Sequence, residues 1–156
     1  MKKSLAITLG LLAGTALANQ PNTSQAEAQP PSLTLEVFDT STGVHSIVEG
    51  RKFSVSRKNI ELCWTAFNLS IEPNNTSIEI FVSPKRATFV DQGSKISKSK
   101  DGRKHTITST FSTDKTDQDL VRKCWKFDKK DPLGKYTLEV QVNNIKFPPQ
   151  TFHVVK

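Results

Sequence analysis

From residue 32 onward, apolar and polar side chains alternate along the chain with a period of two. Tyr136, Leu138, Val140 and Val142 are interleaved with Thr137, Glu139, Gln141 and Asn143. Leu33, Leu35 and Val37 alternate with Thr34 and Glu36, and Ile78, Ile80 and Val82 alternate around Glu79. Weaker sets run through Phe53 and Val55, through Ile107, Ser109 and Phe111, and through Phe152 and Val154. Such a period predicts strands with one buried and one wet face. On that rule Ile78, Ile80 and Val82 point inward and Glu79 outward. Turn residues separate the runs: Ser83-Pro84, Glu72 to Asn75, Asp101-Gly102, Asp131 to Gly134 and Pro148-Pro149. Proline fixes φ and removes a donor, whereas glycine and asparagine accept positive φ. No stripe of helical period extends over twelve residues; Asp114 to Leu120 has room for one helical turn. Many short strands at this spacing predict an all-β antiparallel sandwich or barrel.

Two of the strands share an unusual pair. Cys63-Trp64 and Cys124-Trp125 place each tryptophan on an apolar face, with Ile60, Leu62 and Ala66 in one strand and with Val121 and Phe127 in the other. Lys123 is the one charged exception on the second face. The cysteines fall on the opposite, polar faces. If the two strands are neighbours, the sulfurs meet across the outside of one sheet, because opposed Cα atoms lie about 4.5–5.5 Å apart and a disulfide accepts about 4.4–6.8 Å. A redox-active pair and a metal site are the alternatives. The spacing lacks C-x-x-C, and two cysteines alone make a poor metal site. We expect no cofactor and no metal.

The N-terminus changes the composition. Lys2 and Lys3 precede an apolar stretch from Leu5 to Gly14, and Ala16-Leu17-Ala18 has the small-x-small form of a cleavage site. This is the layout of a secretory signal peptide over residues 1–18 and is too short to span a membrane as a helix. A bacterial periplasmic or secreted location is expected, where two cysteines most simply bridge. Residues 19–31, rich in Gln, Asn, Ala and Pro, form a flexible leader, and residues 32–156 the folded domain. The whole chain of 156 residues carries +7. Residues 19–94 hold six Lys and Arg against eight Asp and Glu, whereas residues 95–156 hold fourteen against seven. The basic character therefore belongs to the C-terminal part.

Within that part, Asp131-Pro-Leu-Gly134-Lys-Tyr136-Thr-Leu138 resembles the D-x-[GA]-x-Y corner of immunoglobulin-like sandwiches, with one more residue between Asp and Gly. The resemblance implies that the Tyr136 hydroxyl bonds nearby backbone and that the penultimate strand begins there. It implies a generic bacterial immunoglobulin-like β-sandwich of about seven to nine strands. The family's inter-sheet bridge does not carry over, since Leu138 stands where its second cysteine would be. Trp64, Trp125, Tyr136, Leu138 and Val140 are the expected core.

The densest charge lies on a hairpin. With Asp101-Gly102 as a two-residue type I′ loop, Lys98 opposes His105 and Ile96 opposes Ile107, and the tip collects Lys98, Lys100, Arg103 and Lys104. Lys-rich edges also block aggregation, so the same residues serve either as edge protection or as a cationic contact for an anionic envelope component or an acidic protein. Lys123, Lys126, Lys129, Lys130 and Lys135 form a second basic region. His45, His105 and His153 read as surface or edge histidines. Asp114, Asp117 and Asp119 lack the spacing of a calcium loop, and the sequons at Asn22, Asn68, Asn74 and Asn75 are incidental in a bacterial protein. No nucleophile elbow, zinc-protease pair or phosphate loop occurs. The expected function is a non-enzymatic exported binding module that engages no nucleic acid. A small enzyme inhibitor or immunity protein is the first alternative, and a pilus or surface-assembly subunit the second.

Overall fold

A computed structural model describes residues 29–70, 72–112 and 120–156. The expected signal peptide, most of the leader, and the proposed helical turn with Asp114, Asp117 and Asp119 lie outside the described residues. The period-two segments become β1 (Ser32–Asp39), β2 (Ser46–Val48), β3 (Lys52–Ser54), β4 (Ile60–Phe67), β5 (Asn75–Val82), β6 (Lys95–Lys98), β7 (Lys104–Phe111), β8 (Leu120–Trp125), β9 (Gly134–Val142), β10 (Ile145–Lys146) and β11 (Gln150–Val155). A short 3-10 turn at Glu49–Arg51 separates β2 from β3. Among the described residues the eleven strands exceed the seven to nine expected because β2 and β10 have only three and two residues, too few to show a period.

The strands form two sheets. The first has the order β2-β1-β4-β8; the second runs β3-β11-β9-β5-β7-β6, with β10 attached to β9. All pairs are antiparallel except β3 with β11. The inner faces carry the expected core: Trp64, Tyr136, Leu138 and Val140 are buried, as are Leu35, Leu62 and Phe152. Rings meet edge to face across the core, Phe81 of β5 with Trp125 of β8 at 5.3 Å, and Phe127, just beyond the end of β8, with Tyr136 of β9 at 5.5 Å. Such pairs contribute about 0.5–1.5 kcal/mol beyond the area they bury.

The hydroxyl bond that the resemblance implies is present, whereas β9 is not the penultimate strand, because the short β10 intervenes before β11. The Tyr136 hydroxyl donates to the Pro132 carbonyl at 2.8 Å, four residues upstream. Burial, and then the charge of Asp131, pushes its phenol well above the usual range.

One strand faces the opposite way. In β5 it is Asn75, Ser77, Glu79 and Phe81 that point inward, while Ile78, Ile80 and Val82 lie half-exposed on the outside. Alternation alone could not decide between the faces, because Phe81, the bulkiest residue of the strand, shares a face with Glu79. The choice is made by partners supplied from the other sheet.

Candidate functional site

Three features carry the chemistry of the described residues: the cationic hairpin, a polar cluster inside the sandwich, and a crevice at its open edge.

The hairpin joins β6 to β7 in the expected register, with Ile96 opposite Ile107 and Lys98 opposite His105. Its turn differs from the expected one. The Gly102 N–H donates to the Ser99 carbonyl at 2.9 Å, closing a turn over residues 99–102. Only Gly102 takes a positive φ, +67°, so the two left-handed residues of a type I′ turn are not used. The adjacent segment explains the choice: the Ser83 N–H donates to the Arg103 carbonyl and the Ala87 N–H to the Gly102 carbonyl, both at 2.9 Å. The tip is thus braced on one side. A Cβ on Gly102 would stand 2.9 Å from the Arg86 side chain.

Asp101 is the acidic residue of this tip, and the turn occupies it. Its Oδ1 accepts from the Ser99 hydroxyl at 2.5 Å and from the Arg103 N–H at 3.1 Å. Those two bonds hold its carboxyl below the ordinary carboxylate range. Lys98, Lys100, Arg103 and Lys104 are all exposed. Among the described residues, none of the four has an ion-pair partner within 4.0 Å. Arg86 adds a fifth cation, anchored on the Lys100 carbonyl at 3.3 Å.

Lys123 does not join an outer basic surface. Its position on β8 turns it into the sandwich, beside Trp125, where its ammonium lies 4.9 Å from the ring centroid. There it meets Glu79 Oε2 at 2.6 Å, Asp91 Oδ2 at 2.7 Å and the Ser109 hydroxyl at 2.8 Å. The other Glu79 oxygen accepts from both tryptophans, Trp64 Nε1 at 2.7 Å and Trp125 Nε1 at 2.6 Å. Ser94 donates to Asp91 and bonds Ser109 at 2.6 Å. Glu79 is fully buried; one oxygen accepts both indole bonds and the other has the Lys123 ammonium as its counter-charge, as a buried carboxylate requires. Burial acts to raise the Asp91 carboxyl, but the bonds from Lys123 and Ser94 and the Lys123 charge outweigh it and hold it low. The cluster ties β4 and β8 of one sheet to β5 of the other, with the irregular segment before β6 as its outer rim. It is a clamp between sheets.

Lys126 points outward and pairs with Glu61 at 3.0 Å. Lys126 and Lys130 line an open crevice of about 650 Å³ together with Arg86, Phe89, Trp125 and Phe127. Asp128 and Asp131 line it too, so its charge is mixed. Cys63 and Cys124 are directly opposed on β4 and β8 and are bonded, with S–S 2.06 Å and Cα atoms 4.0 Å apart. Glu61 is close to both sulfurs. Bonded sulfurs offer no thiolate, so this trio is not a metal centre. Of the histidines, His45 and His153 are exposed as expected, but His105 is 1% exposed, because its strand position shares the inward face of β7 with Ile107.

Comparison with known proteins places this geometry. Over 160 residues the chain is 29% identical to "Uncharacterized protein PM0630" of Pasteurella multocida (strain Pm70), covering all of both chains. Among solved structures it is similar to the Pseudomonas fluorescens alkylpurine DNA glycosylase AlkC bound to DNA containing an abasic site analog, at 10% identity and a TM-score of 0.36, over 81% of this chain and 30% of that one. A likeness at that level carries no argument. The family model described as the PM0630 beta sandwich domain matches residues 33–155, nearly the whole of the two sheets, and the chain belongs to that family.

Proposed function

We propose that the protein is an exported, non-enzymatic binding module, built on an immunoglobulin-like sandwich, whose cationic hairpin engages an anionic envelope component or an acidic protein surface. One observation carries this reading. Lys98, Lys100, Arg103 and Lys104 stand exposed on one braced turn, and the single acid among them is consumed by the turn itself. Edge protection needs charge but no bracing. A turn fixed from the side by Ser83 and Ala87 presents its cations at low entropic cost, which favours binding. The Tyr136 corner supports the immunoglobulin-like scaffold, and the signal-peptide pattern supports export.

Two measurements test the reading. The double change Lys100→Glu and Lys104→Glu should leave the thermal unfolding curve in place, because both side chains are exposed, whereas Arg103 is kept because its Nε donates to the Ser83 carbonyl at 3.2 Å. It should weaken binding to immobilised lipopolysaccharide and to poly-glutamate by tenfold or more at low salt, roughly 0.05 M, with the native protein losing affinity as salt shortens the Debye length. Binding that is unaltered by both charge reversal and salt removes the hairpin from the function. Separately, protein recovered from the envelope of an expressing bacterium should begin at Asn19; an intact Met1 would remove export.

A further inference from the structure

Lys123, Asp91 and Glu79 meet in a geometry that permits more than an ion pair. Lys123 Nζ donates to Asp91 Oδ2 at 2.7 Å and to the Ser109 hydroxyl at 2.8 Å. It also stands 2.6 Å from Glu79 Oε2, a buried oxygen that accepts no hydrogen bond among the described residues. An oxygen in hydrogen-bond contact places its carboxyl carbon one bond further on, near the separation of about 3–3.5 Å from which a nucleophile attacks. Groups held this way react with effective molarities of about 10⁵–10⁸ M. The two carboxyls differ in what they can do. Glu79 belongs to β5, which is paired on both sides, and two indoles fix its Oε1. Its side chain has no exposure through which a leaving water could escape. Asp91 lies in the irregular segment before β6, outside any ladder, and its side chain is 27% exposed. Asp91 is therefore suited to be the electrophile and Glu79 the base.

We propose that Lys123 and Asp91 condense to an intramolecular amide, which joins β8 of one sheet to the segment leading into β6 of the other. A proton first passes along the 2.7 Å bond from Nζ to Asp91 Oδ2, leaving a neutral amine and a neutral acid. Nζ then attacks Cγ of Asp91, and as the C–N bond forms Glu79 Oε2 takes a second proton from the nitrogen. Glu79 returns that proton to the departing hydroxyl, the C–O bond breaks, and one water leaves. An ammonium and a carboxylate have become an amide and water, Glu79 ends as it began, and no co-reactant is consumed. Burial works against the Asp91 charge, but Lys123 and Ser94 hold it. Newly folded protein therefore carries the ion pair, and condensation follows slowly. Once it is complete, β8 is linked to β4 through Cys124 and to the facing sheet through Lys123. The cationic hairpin contributes no residue to this bond.

The experiment follows the intact mass of the mature protein during a week at physiological temperature, each sample being reduced and denatured before it is weighed. The expected result is a form lighter by one water that grows to include most chains. Digestion with trypsin should then release a branched peptide in which the segment containing Asp91 is attached to the Lys123 side chain. In Glu79→Gln, which keeps an acceptor for the indoles but takes up no proton, the rate should fall about a hundredfold, the low end for a positioned acid–base group. Lys123→Arg should keep its full mass. The native mass and the branched peptide need no variant, so the test stands even if a variant fails to fold. A native mass unchanged after the week overturns the proposal. So does a loss of water that persists in Lys123→Arg, which would be a succinimide at an aspartate, and so does a branch that runs through Glu79 instead of Asp91. An undiminished rate in folded Glu79→Gln overturns its part as the base.

Discussion

Replacing Lys123 with Met should destabilise the protein by roughly 3 kcal/mol, at the low end of the range for stripping a buried charge of its partner. The low end applies because the Lys123 side chain keeps 20% exposure, whereas Glu79 has none. Methionine preserves the length and apolar stem of lysine, so the loss is electrostatic rather than a cavity. What remains is a carboxylate held by two indole N–H groups on one oxygen and by nothing on the other. A second substitution separates the charge effect from packing. Glu79→Gln keeps an acceptor for the indoles and removes the charge, so the double variant Lys123→Met, Glu79→Gln should be more stable than Lys123→Met alone. In urea unfolding this appears as a coupling energy of more than about 1 kcal/mol, as is usual for residues within one network. A Lys123→Met midpoint equivalent to within 0.5 kcal/mol of the native protein, roughly the effect of an ordinary surface change, would show that the cluster does not clamp the sheets.

The same cluster marks where sequence reading stopped. Period two located all the longer strands, and the Cys-Trp repeats in β4 and β8 correctly set tryptophan inward and the bridge on the outside of one sheet. The hairpin register followed from one Asp-Gly pair. Face choice in β5 did not follow, because alternation ranks faces by hydrophobicity and Glu79 counts against its own face. A signal was present nonetheless. Lys123 broke the apolar face of β8, and two inward tryptophans each brought an N–H donor that needed an acceptor. An inward lysine and two indole donors together require a buried anion, and Glu79 sits alone between apolar neighbours in its strand. Asp91 and His105 were less legible. Their roles depend on how the irregular segment between β5 and β6 folds back over the sandwich edge, and no period encodes that path. The type I′ expectation failed for a related reason: the turn adapts to Ser83 and Ala87, which are distant in sequence from its own residues.

Removing the disulfide should have the largest effect of any change considered. Cys63 and Cys124 close a loop with a sequence separation of 61 residues, for which chain entropy in the unfolded state gives about 4 kcal/mol at room temperature. That is a large share of the roughly 5–15 kcal/mol by which a domain is usually stable. The bridge joins adjacent strands of one sheet, so it adds no contact between sheets; its contribution lies in restricting the unfolded chain and in holding β8 against β4. The position of β8 makes the second role concrete. Among the described residues it is the edge strand of its sheet, bonded on one side only, and it carries both Lys123 and Trp125 into the clamp. Loss of the bridge therefore also loosens the donors on which Glu79 depends. The paired variant Cys63→Ser, Cys124→Ser should unfold at a denaturant midpoint lower by an amount equivalent to about 4 kcal/mol. It should also lose amide protection first along β8, read by hydrogen exchange. If the paired variant instead kept its midpoint, β8 would be held by the buried cluster alone, and the covalent link would be dispensable to the fold.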